Sequence, residues 1–212
     1  MRKYLPAIVF SIGFCGFIIA QVLSDHLFAE QSAGDKKLVQ QYESIFNKVN
    51  FRTTNHENIS LGAIKAPVII VNFWASWCAP CIEEFPSLAN LRSLYSKNDL
   101  EIIGVNTDDT NQMSVIRKIK EKFKLDFPMV ADSNSQLVEK FMISSIPTTI
   151  VFSAGKVIEI SRGNSDFDDK DFVNKLNAAI KENSKKKVGN ASEGNNRSVF
   201  QLFSFYQEKK KS

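Results

Sequence analysis

Cys78 and Cys81, separated by Ala79 and Pro80, sit in the stretch VNFWASWCAPCIEEFP from Val71 to Pro86. Two thiols at this spacing can serve as a structural staple, as part of a metal site, or as a pair that opens and closes during a reaction. A staple closing so short a loop constrains little of the unfolded chain, because the entropic gain grows with loop length. A metal needs more ligands than two thiolates, and the chain offers only His26 and His56, neither in a ligand-like motif. Redox chemistry has a further requirement: a thiol attacks a disulfide only as thiolate, and that anion is stabilised by unpaired backbone N–H groups at a helix N-terminus. The flanking elements must therefore supply a helix that starts at the cysteines.

The sequence around the pair is patterned accordingly. Val68 to Trp74, VIIVNFW, is a β-branched and aromatic run of the kind found in a strand buried on both faces. A helix is expected to begin near the second cysteine, with Phe85, Leu88, Leu91 and Leu94 facing inward and Pro86 kinking it. Leu100 to Val105 reads as a second buried strand, and Met113 to Phe123 as a helix with Met113, Ile116, Ile119 and Phe123 on one stripe. A short extended piece over Phe127 to Ala131 and a helix from Ser135 to about Met142 follow. Thr148 to Phe152 and Val157 to Ser161 flank Ser153-Ala154-Gly155-Lys156, a hairpin turn. An amphipathic helix from Phe167 to about Lys181 closes the pattern. The order βαβα then αββα predicts an α/β fold, a central mixed β-sheet flanked by helices on both faces.

At 212 residues and 43% hydrophobic content the chain accommodates one domain with attachments. The net charge of +4 is concentrated at the end: Ser184 to Ser212 holds seven Lys or Arg against two acids, which leaves about −1 for everything before it. No nucleic-acid groove is indicated in the body. Arg2 and Lys3 precede an uncharged apolar run from Leu5 to Leu23, long enough to span a membrane as a helix with the bulk of the chain on the extracytoplasmic side. A cleaved signal peptide is the alternative, although no Ala-x-Ala stands close behind the run. Cys15 reads as an ordinary apolar residue of this segment. The expected organisation is residues 1–23 as anchor or signal, 24–50 as linker and amphipathic helix (Leu38, Tyr42, Ile45, Phe46, Val49), 51–183 as the domain, with Thr53 to Ser60 polar and turn-like, and 184–212 as a basic tail.

Phe73-Trp74-Ala75-Ser76-Trp77-Cys78-Ala79-Pro80-Cys81, followed later by Ile146-Pro147-Thr148-Thr149, resembles the thioredoxin fold over roughly Phe51 to Lys181, and within it the membrane-tethered ResA, TlpA and CcmG group. The resemblance implies a thiol:disulfide oxidoreductase. Cys78 at the helix start is then the exposed nucleophile, Cys81 the resolving thiol, and Pro80 the stiffener of the turn between them. It also implies a cis peptide before Pro147, which leaves the Ile146 backbone free to pair with an extended substrate segment. Thr148 after the proline fits the ResA and TlpA branch.

Glu84 departs from ordinary thioredoxin, which has a buried aspartate six residues before its first cysteine; here that place is Asn72. Glu84, three residues after Cys81, matches an active-site glutamate of the ResA-like group and falls on the cysteine's helix face. Its pKa is expected to rise, so that it exchanges a proton with Cys81, whereas Glu83 reads as a solvated acid. Trp77 is expected to shield the sulfurs and line the substrate surface, and Trp74 to lie in the core. A threonine three residues before the reactive cysteine, which a peroxidase of this superfamily would carry, is replaced by Ala75.

The resemblance further implies reduction of disulfides in selected partner proteins for cytochrome c maturation or oxidase copper-site assembly, no cofactor beyond the Cys78–Cys81 dithiol, and a membrane electron donor. A reading of another class is a non-catalytic binding module that recruits a partner through its groove or through RSVFQLFSFYQEKKKS at the C-terminus.

Overall fold

The computed structural model describes residues 17, 18, 21 and 34–186. Apart from residues 17, 18 and 21, the expected membrane segment lies outside the described residues, as does the tail beyond residue 186. Among the described residues no helix is long and apolar enough to cross a membrane. The chain divides into two compact units, Met1–Ser44 and Ile45–Ser212. A helix, α1, runs over 34–45, and Phe46–Lys48 continues as a 3-10 turn.

The second unit is organised about strand β3, Val68–Trp74, whose seven side chains are all buried. Such a segment is stable only when strands cover both edges and other layers cover both faces. Strand β4, Leu100–Asn106, pairs with it in parallel, and β6, Thr148–Ser153, pairs antiparallel on the other edge. Strands β5, Met129–Ala131, and β7, Lys156–Arg162, complete the order β5-β4-β3-β6-β7. Side chains alternate across the sheet. Val68, Ile70 and Trp74 join Phe85, Leu88 and Leu91 of helix α3, Phe85–Leu94, in one apolar cluster. The cluster also takes Ile116 of α4, Gln112–Phe123, and Leu176 of the closing helix α6 over 170–186. On the opposite face Phe73 packs edge-on against Phe141, with ring centroids 5.4 Å apart, beyond the short α5, Gln136–Lys140. Phe46 stacks at a tilt on Phe152, 5.0 Å away. The sheet is thus mixed and covered on both faces, as the alternation of segments predicts.

Several expectations are corrected. Thr53 to Ser60 is not merely a turn: β1, Asn50–Arg52, and β2, Asn58–Ser60, form an antiparallel hairpin, and Thr53 bridges to Val130 on β5. Each strand is only three residues long, too short for its alternation around Phe51 or Ile59 to be read as a strand. Leu94 and Met113 do not face inward. They are 58% and 50% exposed. Arg92 takes the inward place on α3 by donating to the Leu100 and Tyr95 carbonyls, and Gln112 takes it on α4. Helix α5 is shorter than expected because Ser135 and Met142 hold left-handed backbone at φ 52° and 47°. The closing helix begins after Phe167, which is buried ahead of it, and extends past Lys181. The hairpin at Ala154-Gly155 is as expected, both residues having positive φ, as a two-residue turn of the primed kind requires.

Gly104 lies on β4 between Asn72 of β3 and Met129 of β5. A Cβ there would collide with the Met129 sulfur and press on the Trp74 indole nitrogen. Gly104→Ala is expected to cost about 1–3 kcal/mol by overpacking. In urea titrations the midpoint should fall while the slope is unchanged.

Candidate active site

The chain leaves β3 at Trp74 and turns at once: the Cys78 N–H donates to the Ala75 carbonyl at 3.2 Å, and helix α2, Ala79–Glu83, follows. Pro80 stands in its first turn, where a missing N–H is not needed. Cys78 is the N-cap, and its sulfur accepts from the Cys81 N–H at 3.3 Å. The two cysteines are joined by a disulfide with Cα atoms 5.3 Å apart. Cys81 is fully enclosed and Cys78 keeps 5% exposure. Cys78, expected to be exposed, is instead buried with Cys81 in the core cluster that includes Ala75 and Phe85, and only a narrow edge of it meets solvent.

Proline shapes the other end of this helix. Pro86 has no N–H to offer the Ile82 carbonyl, so the helical run breaks, with Glu84 capping both α2 and α3. The break turns Glu84 into the core, where it is 1% exposed, while Glu83 stays outside and accepts from the Asn164 amide at 3.3 Å. Glu84 Oε1 accepts from Asn72 Nδ2 at 2.6 Å, and the same amide donates to Thr149 Oγ1 at 2.9 Å. Oε2 has no hydrogen-bond partner among the described residues. Burial raises the Glu84 pKa to about 7, against the weaker downward pull of the Asn72 amide and of the Ser165 backbone. Glu84 thus lies one helical turn beyond Cys81, able to hold or release a proton near neutral pH.

The third component arrives from β6. The Ile146–Pro147 peptide is cis. Pro147 is buried, its carbonyl accepts from the Gly163 N–H at 2.9 Å, and the Thr148 hydroxyl donates to the Ser145 carbonyl at 2.7 Å. Among the described residues the Ile146 N–H and carbonyl make no backbone hydrogen bond. Trp77 is 72% exposed and Pro80 is exposed, both flanking the disulfide in the chain, whereas Trp74 is fully buried against Phe85 at 5.1 Å.

One buried group was not anticipated. Asp108, just past the end of β4, accepts hydrogen bonds from the backbone N–H and hydroxyl of Ser76, two residues before Cys78. The signal available in the sequence is the polar run Asn106-Thr107-Asp108-Asp109 directly after an apolar strand, at the carboxyl end where α/β sheets place their sites. A depression of about 650 Å³ lies farther along that end, lined by Arg52, His56, Asp109 and Gln112 among others, and it includes neither cysteine.

The AhpC/TSA family model matches residues 44–161. The thiol-disulfide oxidoreductase ResA of Bacillus subtilis is 31% identical over 111 residues, covering 52% of this chain and 61% of that protein. The ResA of Halalkalibacterium halodurans is 25% identical over 146 residues, covering 68% of this chain and 81% of that protein. The match thus spans about three fifths of the length of the first relative. A thioredoxin-like protein from Aeropyrum pernix shares the fold, with a TM-score of 0.52 at 23% identity over 73% of this chain and 99% of that one.

The Glu84 shift makes stability depend on pH. Folded Glu84 retains its proton up to about pH 7 while the unfolded carboxyl loses it near 4.5. The folded state therefore binds more protons in that window, and stability falls as pH rises through it. The loss should be roughly 3 kcal/mol, absent below the unfolded pKa and complete above the folded one. Urea unfolding of the oxidised protein across the window should show this decline, and Glu84→Gln should abolish the slope.

Proposed function

This chain belongs to the AhpC/TSA family, and from that premise we propose that it is a thiol:disulfide oxidoreductase that reduces disulfides in selected partner proteins. The observation that carries the reading is the Cys78–Cys81 disulfide capping a helix N-terminus, with buried Glu84 one turn beyond it. A peroxidase reading within the same family is disfavoured by Ala75, which offers no hydroxyl three residues before Cys78.

In the reduced protein the Cys78 thiolate attacks one sulfur of the substrate disulfide, forming a mixed disulfide and releasing the other substrate sulfur as a thiolate, which takes up a proton. Glu84, with a pKa near 7, accepts the Cys81 proton. The Cys81 thiolate then attacks the Cys78 sulfur, closing the intramolecular disulfide and expelling the second substrate sulfur as a thiolate, which takes the proton held by Glu84. Two electrons pass to the substrate, with one proton from Cys81 by way of Glu84 and one from solvent. The Ile146 backbone beside cis-Pro147 holds the substrate segment as an added strand, and Trp77 covers its approach. A thiol donor in or at the membrane restores the dithiol.

The similarity to the ResA relatives and the apolar run Leu5 to Leu23 behind Arg2 and Lys3 support a proposed biological setting. We place the domain on the extracytoplasmic side of the membrane, tethered by that run, acting on apoproteins of cytochrome c maturation or oxidase copper-site assembly. Release after signal cleavage is the alternative for the tether.

Cys78→Ser is expected to abolish reduction of a disulfide-bonded protein substrate, at least a hundredfold by analogy with the 10²–10⁴ contributed by a positioned reacting group, roughly. Cys81→Ser should instead accumulate a mixed disulfide through Cys78, visible by non-reducing electrophoresis and mass spectrometry. Turnover surviving in Cys78→Ser would refute the reading.

A further inference from the structure

Asp108 is 6% exposed, and its side chain is directed almost wholly at one residue. Oδ1 accepts from the Ser76 N–H at 3.0 Å and from the Ser76 hydroxyl at 3.1 Å. Oδ2 accepts from the same N–H at 3.2 Å and from Asn106 Nδ2 at 2.8 Å. The rest of Asp108 is anchored to the scaffold: its N–H donates to Asn106 Oδ1 at 3.3 Å, and its carbonyl accepts from Gln112 Nε2, in the first turn of α4, at 2.5 Å. A carboxylate fixed to β4 and α4 thus reaches across to the loop that carries Cys78.

In the oxidised protein the disulfide ties Cys78 to α2 covalently. Once that bond opens, Cys78 is kept at the N-cap by the Cys78 N–H bond to Ala75, the Ile82 N–H bond to the Cys78 carbonyl, and the grip of Asp108 on Ser76. Only at the N-cap does the sulfur face the Cys81 N–H. On the oxidoreductase reading above, we propose that Asp108 is a positioning residue for thiol–disulfide exchange: through Ser76 it holds the reduced Cys78 at the helix N-terminus, where its thiolate is stabilised. Four hydrogen bonds from Ser76 and Asn106 point at the carboxylate and offset its charge, so the positional effect outweighs the repulsion between the two anions. Glu84, the other acid of the site, lies on the far end of α2 and is untouched by this contact.

Asp132 provides the comparison. It is equally enclosed at 7% exposure and accepts from the Leu137 and Val138 N–H groups at the start of α5, a structural cap with no bond to the cysteine loop.

The test is the pH profile of Cys78 alkylation by iodoacetamide in the reduced full-length protein, resolved from Cys15 by peptide mass and from Cys81 by fragment-ion masses within their shared peptide. Asp108→Ala should slow labelling at neutral pH about tenfold and move its midpoint up toward the free-thiol value of about 8.5. Asp108→Asn, which keeps the shape but puts a donor where an acceptor is required, should move it in the same direction and serves if the alanine variant does not fold. Asp132→Ala should leave the profile where it is. A midpoint unmoved or lowered in both Asp108 variants, or raised as far by Asp132→Ala, would overturn the proposal. Labelling requires no turnover, so this outcome is separate from the loss of the oxidoreductase reading, which is decided by Cys78→Ser.

Discussion

A cysteine that alternates between bonded sulfur and thiolate has to stand where the anion is tolerated, and here that place is the first turn of α2 at the carboxyl end of the central strand. The mixed topology of the sheet follows this need. Because β4 runs parallel to β3, with Asn106 opposite Trp74, its carboxyl end delivers Asp108 to the cysteine loop. Because β6 runs antiparallel, with Thr148 opposite Phe73, its amino end delivers cis-Pro147 to the same place. An all-parallel sheet would have carried the proline to the other end.

Beneath the disulfide lies a polar cluster that packing alone would not favour. Asn72 shares the sheet face of Val68, Ile70 and Trp74, opposite Thr149 on β6, and all of Asn72, Glu84 and Thr149 are buried. Glu84 Oε2 and Asn72 Oδ1 lack partners among the described residues, which costs free energy in an apolar surrounding. An apolar side chain at position 84 would be the more stable filling. On the proposed function the carboxyl serves as a proton reservoir for the enclosed Cys81 thiol, with Asn72 bonded to it. Two buried acids bracket the pair: one is bonded to the chain ahead of Cys78, and the other lies a turn past Cys81.

Much of this arrangement was legible in the residues. VIIVNFW is apolar at every position except Asn72, which is the composition of a strand covered on both faces, and the break at Pro86 follows from its missing N–H. The spacing from Cys81 to Glu84 placed the acid on the cysteine's face. What could not be read depends on contacts between distant segments. Asp108 is one acid in a polar run, and only the register of β4 on β3 brings it to Ser76. Leu94 and Met113 fit their helical stripes, yet Arg92 and Gln112 took the buried places because carbonyl groups at Tyr95, Leu100, Asn106 and Asp108 needed donors. The strands of the β1 and β2 hairpin are three residues each, too short for their alternation to be read, and Thr53 and Thr54 seat the hairpin against β5.

The proposed role rests on the direction in which the cysteine pair moves electrons. The most direct measurement is the equilibrium reduction potential of Cys78/Cys81, titrated in defined thiol buffers and read by mass at the two cysteines. A reductant recharged at the membrane should lie towards the thioredoxin end of the scale, about −270 mV, whereas a value towards the oxidant DsbA, about −120 mV, would identify a disulfide donor and contradict the proposed role while leaving the fold intact.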